Sequence, residues 1–214
     1  YNTVSLKSFI DANANYEKDE MYWNNRLQLD YGFLYSADKP ILQKTDDRIY
    51  LESKWGYQAT KSLYYSAQFS FRSQFSNTYE YPTPSAKADG TPLGPDEEYT
   101  AADWKNASVL KSGLISPAYT NLALGLDYKP LNWLTVNFAP LTGGFVIVDD
   151  PLLRSSYSQP RKKEFENVAD DQLPKDDKGN IDGSVYKSAK FEFGAQLKVD
   201  FKVNVNDNFA FTSQ

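Results

Sequence analysis

Between Phe191 and Val203 every odd position is apolar: Phe191, Phe193, Ala195, Leu197, Val199, Phe201 and Val203. The even positions from Lys190 to Asn204 read Lys, Glu, Gly, Gln, Lys, Asp, Lys, Asn. A side-chain period of two over that length describes one extended strand with an apolar face and a charged face. Ordinary strands run to about 5–6 residues, whereas a tilted strand needs about 9–11 to cross a bilayer. This run meets the second requirement, and the rest of the chain repeats its pattern.

Alternation predicts strands over 2–17, 22–35, 48–59 and 63–75, then a fifth ending at 122–129 and a sixth from 133. The opening run is the seventh, and Phe209-Ala210-Phe211 begins an eighth. Pro140 and Gly143-Gly144 predict a bulge or a local end to pairing in the sixth. Short polar turns are expected at 18–20, 60–61, 130–132 and 205–208. Long polar loops are expected at about 36–47, 76–114 and 149–186, so that connections alternate strictly between short and long. Short turns at one end and long loops at the other mark outer-membrane barrels.

Composition narrows the function. The net charge of −5, with no block of Lys and Arg, argues against a nucleic-acid partner. No apolar run approaches the 18 residues or so of a transmembrane helix, and that test does not see barrel strands. The sequence holds no Cys, and hence no disulfide or thiol chemistry. It also holds no His, the commonest general base and metal ligand. Nucleophile–His arrangements cannot be built from it, so a non-enzymatic protein without cofactor or metal is expected.

The expected fold is therefore all-β: an antiparallel transmembrane β-barrel in the outer membrane of a Gram-negative bacterium, with residues 1–214 as one domain. Eight strands are visible. The first leads down into a short turn and the eighth ascends, which implies a further strand at each end, at least ten in all and about 12 in the full protein. The abrupt opening at Tyr1, inside an alternating pattern, is read the same way. Tyr16, Trp23, Tyr57, Tyr65, Tyr128 and Trp133 lie near the short turns and form an expected aromatic belt, with Tyr35 and Phe75 at the other end. Leu27, Leu29, Ala67, Phe69 and Leu197 lie between, facing lipid. The competing reading, a soluble all-β domain, has to place strands of unusual length and many aromatics in a core.

Several stretches resemble an uncharacterised family of outer-membrane β-barrels from Bacteroidota, a domain of unknown function. They are Trp23-Asn24-Asn25, Leu29-Asp30-Tyr31-Gly32, Ser116-Pro117, Leu124-Gly125-Leu126-Asp127-Tyr128-Lys129-Pro130, Ala139-Pro140-Leu141 and Ile147-Val148-Asp149-Asp150. The resemblance runs from the first strand to about Phe201. It implies a cleaved signal peptide, an opening strand before Tyr1 and closing strands after Gln214, and it implies no known activity.

On the polar faces the expected charge network of the lumen comprises Arg26, Asp30, Arg48, Glu52, Arg72, Lys190 and Glu192, with Lys54, Asp127, Lys198 and Asp200 on the same side. Mixed signs favour a set of paired charges filling the lumen over a selectivity ring. The acidic loop at 176–183 has Asn180-x-Asp182-Gly183 in the manner of a calcium loop. Lys178 stands where an acid belongs and no Glu closes the loop, so Asx turns are expected there. The leading function is a structural or accessory subunit of an outer-membrane assembly, and the alternative is a small diffusion pore or transport channel. The partners would be the lipid bilayer and other outer-membrane proteins, met through the long loops.

Overall fold

The computed structural model describes residues 2–206 and 209–213, with side chains to 201. Eight strands form one antiparallel sheet: β1 (Thr3–Lys18), β2 (Met21–Ser36), β3 (Lys39–Gln58), β4 (Leu63–Ser73), β7 (Ala118–Leu131), β8 (Leu134–Ile147), β9 (Ala189–Asn206) and β10 (Phe209–Ser213). Two short strands, β5 (Thr78–Glu80) and β6 (Val109–Ser112), pair outside it, and α1 spans Ala101–Asn106. Each strand of the sheet neighbours its predecessor along the chain, a plain meander. The all-β, antiparallel expectation holds. The sheet is not closed into a barrel: β1 and β10 stand at its two edges. No helix among the described residues is long and apolar enough to cross a membrane.

The strands are long. β1 and β2 have 16 residues each, β3 has 20 and β9 has 18. Register carries the alternation across the sheet, because a residue and its cross-strand partner point the same way. Leu29 pairs with Ile10 and Ile49, Leu51 with Leu27 and Phe71, and Phe69 with Leu122. Leu141 lies opposite Leu124, and Phe145 opposite Phe191. One face is thus predominantly apolar. The Val203 side chain, expected on it, lies outside the described residues, as does part of the 205–208 turn.

One connection differs from expectation. Residues 36–47 are not an irregular loop: β2 and β3 continue together to a two-residue turn at Ala37-Asp38, and Ser36 pairs with Lys39. Pro40 and the polar run Lys44–Asp47 break the side-chain alternation, which hid the strand from a pattern reading. Register shifts at Gly32/Phe33 and Leu34/Ser36 absorb them, and the shift at Leu34/Ser36 leaves Pro40 outside the regular ladder. The hairpin still projects beyond β4, on the long-loop side. In β8 the expected irregularity is a bulge, with pairing broken between Ala139 and Thr142 around Pro140 and resumed through Gly143-Gly144.

The two remaining long loops are folded. In the first, Thr100 and Asp103 make a capping box for α1, and Asp103 also accepts the Ala88 amide at 2.7 Å. Trp104 is buried there, with the Lys39 ammonium 4.7 Å from its ring. That contact docks the loop onto the β2–β3 hairpin. In the second, Val148, Leu153, Leu173 and Val185 are buried, and the Arg154 guanidinium donates to the carbonyls of Val148, Asp149 and Tyr186. Gly183 packs so closely that a Cβ would sit 2.0 Å from the Pro151 carbonyl oxygen. Asp176 accepts the Lys178 and Asn180 amides, and Asp182 the Ser184 amide, as Asx turns do. Gln159 and Tyr157 reach back to the carbonyls of Val146 and Lys111, joining this loop to β8 and β6.

Candidate functional site

The apolar face carries its aromatics in rows. Tyr16, Trp23 and Trp55 are consecutive cross-strand partners, and Tyr57 pairs with Tyr65 one step nearer the short turns. Trp55 and Tyr57 stack with an interplanar angle of 12°. Tyr128 lies opposite Leu63, and Trp133 sits in the β7–β8 turn. The structure therefore brings five aromatics of the expected belt to the short-turn end of one face, with Trp133 in a short turn at the same end. The Trp23 indole donates to Ser53 Oγ at 2.8 Å, and Ser53 donates to Asn25 Oδ1 at 2.7 Å. A polar pair inside an apolar face is satisfied where an aromatic needs a polar handle.

The seven charged residues expected in a lumen all lie on the opposite face, in three separate groups. Arg26 forms a two-bond pair with Asp11, at 2.9 and 3.3 Å, and stands opposite Glu52 in register. Glu52 accepts the Tyr50 hydroxyl at 2.6 Å and the Gln68 amide at 3.1 Å. Lys190 and Glu192 pair with each other on β9 at 3.1 Å, and no hydrogen bond or ion pair among the described residues links them to the first group. Asp30, Arg48 and Arg72 lie towards the long loops without an ion pair among the described residues.

Sequence reasoning put Lys54 and Asp127 on the polar face but gave no sign of what they do. Asp127 is almost fully buried and takes the Lys54 ammonium at 3.4 Å and the Asn137 amide, from β3 and β8 on either side of β4 and β7. Lys44 with Asp47, a pair closed at 2.5 Å, was hidden in the expected loop; Asp47 also accepts the Phe75 and Ser76 amides, anchoring the chain as it leaves β4. Cross-strand register is the signal that would have found the first, since it needs a strand order rather than a pattern.

Small residues open the polar face between β4 and β9. A hollow of about 520 Å³ is lined by Ser70, Asn121, Ala123, Thr142, Gly144 and Gly194 among others. No group of three or more acidic side chains that could hold a metal ion occurs among the described residues.

Geometry thus defines an antiparallel β-protein with one face apolar and uncovered and the other charged and largely paired. A family described as "Protein of unknown function (DUF3078)" matches residues 1–79, from β1 to β5. Trp23-Asn24-Asn25 and Leu29-Asp30-Tyr31-Gly32 fall inside that match, and the stretches from Ser116 onward fall beyond it. No curated protein and no solved structure matches the chain.

Proposed function

We propose that this chain is wall and outer cap of an outer-membrane β-barrel that serves as a non-enzymatic structural or accessory subunit. The observation that carries this reading is the uncovered apolar face: long strands, in register, with large apolar side chains exposed and an aromatic band at one end. Water disfavours such a surface at about 25 cal/mol per Å², while a bilayer accepts it, with Trp and Tyr at its boundary. Paired charges on the other face support a filled interior, and the lack of any His or Cys supports a role without catalysis. The folded loops at one end offer surface for a partner protein.

One observation favours the second reading, a diffusion pore. The hollow lined by Ser70, Ala123, Gly144 and Gly194 leaves space on the polar face between β4 and β9. Two measurements separate the possibilities. Resistance to sodium carbonate washing of membranes is expected, and release into the aqueous fraction would defeat both readings. In a planar bilayer, a silent barrel supports the accessory role. Stable channels whose selectivity changes on charge reversal at Arg26 or Glu52 support the pore.

A further inference from the structure

At the long-loop end of the polar face lies a cavity of about 540 Å³. Its floor is Asp30, Arg48 and Arg72 on β2, β3 and β4, its wall includes Tyr119, and its roof includes Ser112 and Tyr157 from the outer segments. We propose that it binds a small organic molecule through a carboxylate or phosphate group, gripped by the guanidinium groups of Arg48 and Arg72.

The charges around the cavity argue for an anion. Asp46 is engaged by Lys7 at 3.5 Å, and Asp47 by Lys44 at 2.5 Å. That leaves Asp30 against two arginines, a residual charge of +1. Arg72 makes no side-chain hydrogen bond or ion pair among the described residues, and the buried Nε of Arg48 has no partner there. Asp30 stands opposite Arg48 in register, yet the two form no ion pair within 4.0 Å. Elsewhere on this face Arg26 is paired with Asp11 through two hydrogen bonds.

A guanidinium fork matches the two oxygens of a carboxylate or phosphate. Arg48 is held for this by its stack on the Tyr50 ring, 4.9 Å away, while the Tyr50 hydroxyl is fixed on Glu52. The cavity exceeds the size of a bare oxyanion and falls in the range of small-molecule sites, about 300–1,000 Å³. Hence the anionic group is one end of a larger ligand. None of this depends on what covers the apolar face.

The test is calorimetric titration of the full chain in detergent micelles with inorganic phosphate and, separately, with succinate; the tighter arm identifies the oxyanion class. Saturable binding of at least one is expected. Arg48→Gln and Arg72→Gln should each weaken it by about tenfold or more, and Arg26→Gln should leave it unchanged. Arg48→Lys and Arg72→Lys keep the charge, guard against loss of folding, and should also weaken binding, since an ammonium offers no fork. Binding of neither anion at millimolar concentration overturns the proposal. So does an equal loss in Arg26→Gln, which would reveal a diffuse field, or undiminished binding in both lysine variants.

Discussion

The sheet and the loops of this chain obey opposite rules. In the sheet, Leu6 is 70% exposed, Phe193 74% and Leu197 66%, while Asp127 on the other face is 3% exposed. In the loops Val148 and Val185 are wholly enclosed, Trp104 and Leu153 nearly so, and charged residues such as Glu164 and Asp177 face outward. One polypeptide thus contains a region that encloses its apolar side chains and a region that leaves them exposed. The contrast tells more than either half alone. A chain able to build an ordinary core in 38 loop residues, 149–186, does not expose a whole sheet face for want of apolar residues.

The contrast is most directly broken by putting charge on the apolar face. Phe69→Arg, followed by urea unfolding from lipid vesicles, should lower stability by about 2–4 kcal/mol if the site is at mid-bilayer depth. Ser70→Arg, one residue on and facing the roomy hollow, should change it by no more than about 0.5 kcal/mol. Equal losses would erase the distinction between faces. Within the cap, Val185→Ala should cost about 2 kcal/mol, as deletion from a packed core does. Hydrogen exchange should locate that loss in residues 149–186 and spare the strands. Equal loss of protection in both would make sheet and cap one cooperative unit.

Smaller effects sharpen the comparison. Lys54→Met strips Asp127 of its cation and should cost about 1.5 kcal/mol. In a double-mutant cycle with Asp127→Asn, most of that cost should vanish, and additivity would show that the pair is not coupled. The slightest effect is expected from acid. Amide donation from Ala88 and Thr100 holds the Asp103 carboxyl below the usual carboxylate range. Its contribution is therefore present above the unfolded value, about 3.9, and lost as pH falls through the folded one. Pepsin cleavage within 81–107 should rise only below about pH 4, and Asp103→Asn should remove that pH dependence. Cleavage independent of pH would mean the capping carboxylate does not hold the loop.

How much of this could be read in the sequence follows from the range of the forces involved. The strands and their faces were legible because a period of two is local: the odd residues from Phe191 to Phe201 announce their side without reference to any neighbour. The aromatic band was legible because it follows from distance to a short turn. The β2–β3 hairpin was not, since Pro40 and Lys44–Asp47 mask a ladder held together only by pairing with β2. Nor was the packing of the loops, where Arg154 ties three carbonyls and Lys39 meets Trp104 across 65 residues of chain. The candidate anion site lay between these limits. Arg48, Arg72 and Asp30 were on the right face, but that they form no ion pair among the described residues is seen only in three dimensions.

The most direct test of the central claim is a nitroxide scan along β3 from Ile49 to Lys54 in lipid vesicles, reading collision with oxygen and with a water-soluble nickel complex. Oxygen access should peak at Ile49, Leu51 and Ser53, and fall at Tyr50, Glu52 and Lys54. If Ile49 and Leu51 are instead shielded from both reagents, a protein surface covers the apolar face and the membrane reading fails.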